Sequence, residues 1–428
     1  MNAYGKRNGL AYGLMGLPLA FVALPLYVLL PNYYAKEFGV PLAALGAILL
    51  GARLFDALID PLLGRASDRL FAHSARAVLA LALTAAGVLA AGFALLFFPQ
   101  LFISVTSSRA VMVWASAMLL VTYAAYSFLS VSHQSWGAML GGNEAQRARI
   151  VAWRETFGLL GVVTASILPV ALGLPATAAI FCVALVVGWL AWTQAVQPHP
   201  NDPAAARAPG ALWLPFRHSN FRRLLLVFML NGTASAVPAT LVLFFIQDRL
   251  QAPGDMEPLF LGSYFLAAAL SIPLWLAVVR RIGLARAWLC GVALSIAVFM
   301  WATQVGSGMT GAFLTICVLS GVALGTDLAL PGALLAGVIQ SNGDSGKAEG
   351  AYFGWWNFAI KLNLALAAGL ALPLLALFGY APGVRSPEAL SALVIAYCVL
   401  PCVLKLAAGL ALYLLIIQPP RQPTGNLS

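Results

Sequence analysis

Two carboxylates and one guanidinium recur at helical spacing within a single apolar run of the chain. Arg53, Asp56 and Asp60 occupy positions i, i+3 and i+7 of the run 41–63. On a helix, this spacing places all three side chains on one face over two turns. Two carboxylates about one turn apart in a partly dehydrated site repel each other, and so favour a bound cation or a shared proton. The pattern predicts a cation site at Asp56 and Asp60, and the alternative is a set of structural salt bridges.

Three further charged residues lie deep in other apolar runs, where a charge costs roughly 2.5–3.5 kcal/mol on insertion scales. Lys361 is too far from either interface to snorkel easily and needs a partner, for which Asp56 and Asp60 are candidates. Asp327 is expected either to pair with Lys361 or Lys405 or to contact a solute. Lys405 lies nearer the end of its run, which favours snorkelling or a static pair. We predict one charge network, formed by Arg53, Lys361, Asp327 and Lys405 with the two aspartates.

Polar side chains in two further runs are candidate contacts for a solute. Tyr123, Tyr126 and Ser127 place hydroxyl groups along the fourth run at roughly helical spacing. Arg154 and Glu155 open the fifth run near its polar end, where capping and interfacial pairing are common. A structural role is expected for this pair, and a solute contact is the alternative that we retain for Arg154.

The composition identifies the kind of protein that must position these charges. Of its 428 residues, 61% are hydrophobic and 9% are charged, whereas a soluble domain has about 25% charged residues. A soluble protein is therefore excluded. Because a membrane-spanning helix takes about 20 apolar residues, twelve such helices occupy nearly the whole chain. The candidate spans are residues 10–30, 41–63, 77–98, 110–132, 150–173, 176–196, 224–247, 258–279, 287–305, 311–338, 350–378 and 389–417.

The least hydrophobic stretch between spans divides them into two sets of six. Residues 197–220 contain four prolines, which disfavour a continuous helix. We predict an all-α integral membrane protein of twelve transmembrane helices. Its domains are an N-terminal six-helix bundle over residues 1–196, a cytoplasmic linker over 197–220 and a C-terminal six-helix bundle over 221–428.

The positive charges indicate orientation rather than a nucleic-acid partner. The net charge is +10, but the 24 Lys and Arg residues are scattered through the chain. Loops on one side hold most of them, and loops on the other side hold only Lys36, Arg109, Arg249 and Arg385. Cytoplasmic loops carry the excess of positive charge. Both termini are therefore predicted to be cytoplasmic.

The sequence holds no motif for enzymatic or ATP-driven chemistry. It contains no P-loop, metal-ligand cluster or catalytic-triad pattern, and its five cysteines fall inside apolar runs at spacings that match no metal site. We predict that the protein is not an enzyme and has no cofactor. The expected bound ion is H⁺, or Na⁺ at Asp56 and Asp60.

One loop motif resembles that of a known superfamily. Residues 64–69 read Gly-Arg-Ala-Ser-Asp-Arg, similar to the Gly-x-x-x-Asp-Arg motif that follows helix 2 in the major facilitator superfamily. Twelve helices divided six and six by a polar linker fit the same superfamily. The resemblance implies the major facilitator fold and a cytoplasmic gate motif at Gly64, Asp68 and Arg69.

A narrower resemblance covers the charged residues. Residues 53–61, residues 151–161 and the region around Lys361 resemble the glycoside-pentoside-hexuronide:cation symporters, the melibiose permease family. The resemblance implies that Asp56 and Asp60 bind Na⁺, Li⁺ or H⁺, with Lys361 close to them. It further implies secondary transport by alternating access.

The sequence departs from that family where its sugar permeases hold sugar with acids on helices 1 and 4. Here the span 10–30 has no acidic or basic residue, and Ser127 stands in place of the helix 4 acid. Basic residues among Leu, Phe, Trp and Ala suit a solute with an apolar body and an anionic or zwitterionic end. We therefore predict cation-coupled symport of an organic anion, peptide-like or amphiphilic metabolite rather than a neutral sugar.

Other functions stay open. A sugar:cation symporter and a lipid or lysolipid flippase on the same fold are the main alternatives, and a membrane enzyme or assembly protein is the least favoured. The predicted partners are a small-molecule substrate and the lipid bilayer. We expect a monomer in a bacterial inner (cytoplasmic) membrane.

Overall fold

The structure, a computed structural model, describes residues 5–103, 107–198, 211–380 and 383–418. All regular secondary structure in these residues is helical. A helix suits such apolar runs, because it satisfies the backbone N–H and C=O groups within the segment where lipid offers no partner. The chain folds into two compact units. Unit 1 comprises Met1–Arg217 and Ala336–Lys361, and unit 2 comprises His218–Leu335 and Leu362–Ser428.

Unit 1 begins with an interrupted helical segment and continues with long helices. The first segment consists of α1 (Lys6–Gly13), α2 (Gly16–Leu24), a π-helical stretch (Pro25–Leu29) and α3 (Leu30–Glu37). The next elements are α4 (Leu42–Phe71), α5 (Ala75–Phe97), α6 (Ser108–Met139), α7 (Glu144–Thr193) and the short α8 (Leu214–Arg217). Gly173 has φ +79°, a left-handed conformation that breaks α7 into two helices.

Polar caps fix where three of the long helices begin. The side chains of Ser74, Ser107 and Asn143 accept hydrogen bonds from backbone N–H groups in the first turns of α5, α6 and α7, at 3.0, 3.4 and 2.9 Å. Each cap satisfies a donor that has no partner inside the helix. The sequence thereby marks the first turn of each of these helices.

Unit 2 is built from α9 to α15, apart from the portions of α12 and α13 that belong to unit 1. Its elements are α9 (Ser219–Phe244), a π-helical stretch (Phe245–Leu250), α10 (Glu257–Ile282), α11 (Leu284–Ala302), α12 (Thr310–Ser341), α13 (Glu349–Leu377), α14 (Pro387–Val394), a π-helical stretch (Ile395–Val399), α15 (Leu400–Leu412) and a final π-helical stretch (Tyr413–Ile417).

Each unit has its own apolar core. In unit 1 the ring of Phe181 packs 5.4 Å from that of Phe21 and 4.9 Å from that of Phe93, measured between centroids. In unit 2 the rings of Phe245 and Tyr397 stack at 4.3 Å. Such contacts hold the helices together where the lipid tails are as apolar as the side chains.

Nine helical segments of the described residues are long and apolar enough to cross a membrane. They are Ala75–Phe97, Ser108–Met139, Glu144–Pro169, Ala171–Thr193, Ser219–Leu250, Gly254–Ile282, Leu284–Ala302, Thr310–Ser341 and Pro387–Ile417. Helices also lie at the predicted first, second and eleventh spans, in α1 to α3, α4 and α13. The helices are consistent with twelve spans. The boundaries of the two six-helix bundles, at residues 1–196 and 221–428, remain predictions. Residues 199–210 of the predicted linker lie outside the described residues.

Candidate cation and solute sites

A lysine ammonium in unit 1 lies among four oxygen atoms. Nζ of Lys361, on α13, is 2.8 Å from Asp56 Oδ1 and 2.7 Å from Asp60 Oδ2, both on α4. It also donates hydrogen bonds to Ser127 Oγ of α6 at 2.9 Å and to the Asp56 backbone carbonyl at 3.1 Å. Asp56 is 1% exposed and Asp60 is 0% exposed. Three helices therefore place two buried carboxylates around one positive charge.

The hydroxyl of Ser127 forms hydrogen bonds with both a carboxylate and the ammonium of the cluster. It donates to Asp56 Oδ1 at 2.6 Å and accepts from Lys361 Nζ at 2.9 Å. Its single proton and a lone pair are both used, so its orientation is fixed. The sequence predicted Ser127 as a solute contact, and the structure places it in the charge cluster.

The cluster has one negative charge in excess, because two carboxylates face one ammonium. The second oxygen of Asp60, Oδ1, is buried and accepts no hydrogen bond from the residues that the structure describes. Leaving a buried acceptor unsatisfied costs about 1–3 kcal/mol, and more for a charged group. A proton on Asp60, or a monovalent cation beside it, would remove both the excess charge and the unpaired acceptor.

Glycines bring α4 and α13 close enough to assemble the cluster. A Cβ on Gly64 would overlap the carbonyl oxygen of Gly350, and a Cβ on Gly350 would overlap that of Gly64. One turn further along α13, a Cβ on Gly354 would lie 2.6 Å from the Asp60 carbonyl oxygen. Lys361 follows Gly354 by two turns on the same helix face, so this close approach sets how far its side chain must reach.

Substitution of Gly354 tests the close approach. Gly354→Ala is expected to destabilise the purified protein by about 1–3 kcal/mol, because the added methyl group must push α4 away. The matched control is Gly369→Ala on the same helix, where a Cβ meets no described atom within 4 Å. Alanine there should be neutral or slightly stabilising, since it favours helix by up to about 1 kcal/mol. Equal thermal unfolding midpoints for both variants would show that the helices do not need the glycine.

The charge cluster borders a cavity of about 210 Å³ within unit 1. The cavity combines charges of both signs with amide, hydroxyl and imidazole groups. Its polar lining consists of Tyr126, Ser127, Ser130, His133, Gln134, Arg154, Glu155, Asn357 and Lys361. A solute in this cavity would lie directly beside the ammonium that neutralises the aspartates.

An ion pair and an amide pair line this cavity. Arg154 Nε donates to Glu155 Oε1 at 2.9 Å, and the two side chains are 17% and 22% exposed. This is the pairing that the sequence favours, and it leaves Arg154 on the cavity wall. Gln134 Nε2 donates to Asn357 Oδ1 at 3.1 Å. The cavity therefore offers donors and acceptors that are already held in place by neighbours.

His133 is a fully buried imidazole on the same wall. Its Nε2 lies 2.8 Å from the carbonyl oxygen of Tyr12, and its ring stacks on the Tyr12 ring at 4.3 Å. A carbonyl accepts only, which assigns the proton to Nε2. Its Nδ1 is an acceptor with no hydrogen-bond partner among the described residues.

The predicted gate residues lie where α4 meets the start of α13. Asp68 accepts hydrogen bonds from the backbone N–H groups of Gly350 at 2.6 Å and Ala351 at 2.9 Å. The carboxylate thereby caps the positive end of α13. Gly64 provides the close backbone contact one turn before it, while the side chain of Arg69 is exposed.

Two further predicted residues lie on the rim of the cation cluster. Arg53 is exposed on α4, and Tyr123 of α6 is 1% exposed, with Arg53 and Asp56 as its charged neighbours. Tyr126 lies on the cavity wall one turn further along α6. The predicted helix face of Arg53, Asp56 and Asp60 therefore divides into two buried acids and one exposed base.

A second charge cluster lies in unit 2. Lys405 Nζ of α15 is 3.0 Å from Asp327 Oδ2 of α12 and 2.9 Å from Asn231 Oδ1 of α9. Lys405 is 3% exposed, so it is a buried partner and does not snorkel. Between the two partners that the sequence left open for Asp327, the structure selects Lys405. The predicted single network is thus two clusters, one in each unit.

The family follows from a comparison with known proteins. The MFS/sugar transport protein family matches residues 8–418. The chain belongs to this family. Its all-helical structure has the fold of major facilitator transporters, which confirms the predicted superfamily and the prediction of a transporter rather than an enzyme.

Individual relatives of this family member are distant in sequence. An uncharacterized symporter of Bacillus subtilis, YjmB, is 22% identical over 409 residues, covering 90% of this chain and 86% of the relative. A bacterial homologue of the iron transporter ferroportin, in an outward-facing state, has a TM-score of 0.68 at 16% identity, covering 95% of this chain and 98% of that one. The fucose:proton symporter FucP of E. coli has a TM-score of 0.67 at 14% identity, with coverage of 95% and 99%. At these identities the likeness to the solved structures shows the fold alone.

Sequence reasoning missed several polar residues of this transporter. Asn231, Ser235 and Trp288 each donate a hydrogen bond to Asp327, at 3.0, 3.0 and 2.9 Å. Asn231 and Ser235 are four residues apart in an apolar run, which is a signal for one polar helix face. Trp288 gave no such signal, because tryptophan is also common in apolar spans without a polar role.

Proposed function

We propose that this transporter is a symporter that carries one H⁺ or Na⁺ with each small organic solute by alternating access. The observation that supports this most directly is the single excess negative charge at Asp56, Asp60 and Lys361. One monovalent cation neutralises the cluster. Without a bound cation, the buried cluster carries a net charge. With one bound, it is neutral, and the conformational change that exposes the site on the other side of the membrane costs less desolvation energy.

Lys361 acts as a tethered cation in this proposal. Its ammonium occupies the position among the oxygens of Asp56, Asp60 and Ser127 that an incoming cation needs. Binding of H⁺ or Na⁺ therefore loosens the hold on Lys361, which lies on the cavity wall. The released donor then contacts the solute, so that ion and solute favour each other's binding.

The chemistry of the two ions differs at this site. A proton needs only the unpaired Oδ1 of Asp60. The described residues hold no group of three or more His, Cys, Asp or Glu that could bind a metal, so Na⁺ would draw on the two aspartates with hydroxyl and carbonyl oxygens. Initial solute uptake into proteoliposomes under a pH gradient alone, or a Na⁺ gradient alone, separates the two ions.

For the solute, we propose an organic anion, peptide-like or amphiphilic metabolite. The unit 1 cavity carries fixed Arg154, Glu155 and Lys361 charges rather than additional free carboxylates for sugar hydroxyls. The second candidate is sugar:cation symport, which the family description and the amides Gln134 and Asn357 favour.

A ligand panel distinguishes the two solute classes. Purified protein is heated with sugars, carboxylates, dipeptides or amphiphiles, and a binder raises the unfolding free energy by RT ln(1 + [L]/Kd), about 2.7 kcal/mol at a hundredfold excess over Kd. We expect stabilisation by the non-sugar classes. Stabilisation by sugars alone would establish the sugar symporter instead.

The proposed setting is a bacterial inner membrane, with the transporter as a monomer and both termini cytoplasmic. The uneven distribution of Lys and Arg between the two sets of loops supports this orientation. No resident cofactor is proposed, since an ion gradient supplies the driving force.

A further inference from the structure

Unit 2 contains a cavity that ends at the Asp327–Lys405 pair. Its walls are mainly apolar, with the rings of Tyr264, Phe299 and Tyr397 on one part. Its charged groups are Asp327 and Lys405, and serine hydroxyl groups come from Ser235, Ser295 and Ser320. An apolar cavity with a few convergent polar groups is the usual form of a small-molecule site.

Asp327 has no acceptor capacity left for a ligand. Its Oδ1 accepts from Asn231 Nδ2 at 3.0 Å and from Trp288 Nε1 at 2.9 Å. Its Oδ2 accepts from Ser235 Oγ at 3.0 Å and from Lys405 Nζ at 3.0 Å. A carboxylate offers about four acceptor sites, and all four are occupied. The aspartate is therefore a fixed counter-charge.

Lys405 retains one donor. An ammonium has three N–H groups, and in the part of the chain that the structure describes Lys405 has two acceptors, Asn231 Oδ1 at 2.9 Å and Asp327 Oδ2 at 3.0 Å. The side chain is 4% exposed, so bulk water has little access to the third N–H. The remaining donor is held in place by a carboxylate that is itself immobile.

We propose that this cavity is a solute subsite in which Lys405 donates a hydrogen bond to an uncharged acceptor oxygen, such as an amide or ketone carbonyl, on an apolar or aromatic body. The inference rests on the proposed transport function and narrows its solute class.

Charge explains why the acceptor is uncharged. Lys405 and Asp327 already neutralise each other, and four donors stabilise the carboxylate. A carboxylate group on the ligand would bring an uncompensated charge into an apolar cavity, where desolvation is costly. A carbonyl oxygen uses the same N–H without that cost. The site therefore discriminates by charge between groups of nearly equal shape.

Three probes that share a phenyl ring on a short alkyl chain, and differ in the terminal group, test this discrimination. They are 3-phenylpropanamide, 3-phenylpropanoate and 3-phenylpropylammonium, which present a neutral acceptor, a charged acceptor and no acceptor. Kd values come from thermal stabilisation of the purified full-length protein at graded probe concentrations without any ion gradient. For the binding that Ala239→Phe removes, we expect the amide to bind about tenfold or more tightly than either ion, as one hydrogen bond to a charged group allows.

Two variants locate the binding. Asp327→Asn combined with Lys405→Met removes the ammonium without stranding the carboxylate, and should reduce the preference for the amide to about twofold or less. Ala239→Phe fills the cavity from an exposed wall position and should weaken every probe that binds there. The control is Lys347→Met, which removes an exposed lysine and should change none of the Kd values.

Several results would overturn the subsite. At the site that Ala239→Phe blocks, these are tighter binding of the propanoate than of the amide, or an amide preference that survives in the double variant. No effect of Ala239→Phe, or no stabilisation by any probe up to about 10 mM, would overturn it as well. Because these measurements use no gradient, they are independent of ion coupling. Failure of the subsite would leave the Asp56 and Asp60 proposal intact, and failure of coupling would leave the subsite intact.

Discussion

Asp60→Asn is expected to abolish gradient-driven accumulation of solute while the protein stays folded. The amide has the same volume as the carboxyl group, but it cannot bind a proton or balance a cation. It also leaves the cluster neutral without any ion, because one carboxylate then faces one ammonium. The variant can therefore change orientation without a cation, so that solute inside proteoliposomes should only equal solute outside. Asp56→Asn should behave in the same way.

Solute exchange without a gradient provides the internal control for this experiment. Counterflow should partly survive in both variants, since it needs solute binding and reorientation but no coupling ion. Asp255→Asn removes an exposed acid outside the long helices and should accumulate solute normally. If both cluster variants accumulate solute like the wild type, the aspartates are structural salt-bridge partners of Lys361.

The cation cluster could be anticipated because its chemistry is local. Asp56 and Asp60 are one helical turn apart, so their common face follows from the sequence alone. Lys361 could be proposed as their partner because an isolated base deep in an apolar run requires an acid, and Asp327 was the other acid open to it. The break of α7 at Gly173 likewise coincides with the end of the predicted fifth span. Local periodicity therefore predicts the shared face of the two acids and the break in α7, whereas the pairing with Lys361 also depends on the packing of α13 against α4.

The unit 2 cluster could not be assembled from the sequence, because it depends on which helices pack together. Asp327 had Lys361 and Lys405 as equally plausible partners, and only the packing of α12 against α15 decides between them. The donors Asn231 and Trp288 come from two further helices that no spacing rule connects to Asp327. The sequence does not predict the π-helical stretches for a similar reason, since they depend on tertiary packing rather than on helix propensity.

Lys361→Met is expected to be the most destabilising single substitution in the cluster, by about 3–5 kcal/mol, because it strands two buried carboxylates. A second substitution should restore part of this loss, and the structure indicates which one. Asp56 keeps the hydrogen bond from Ser127 after the lysine is removed, whereas neither carboxylate oxygen of Asp60 accepts a hydrogen bond from the described residues. Adding Asp60→Asn should therefore rescue stability more than adding Asp56→Asn.

Thermal unfolding of the two double variants measures this order directly. Both carry the same residual charge, so any difference between them reports on Ser127 and not on net charge. Adding Ser127→Ala to the Lys361→Met, Asp60→Asn double variant should remove most of its extra stability over the other double variant, about 1–3 kcal/mol. Asp56 then loses its hydrogen-bond donor as well. Lys347→Met, at an exposed position, controls for loss of a lysine. Equal unfolding midpoints for the two double variants would mean that Ser127 does not hold Asp56. No rescue by either would mean that Lys361 does not compensate the charge of the aspartates.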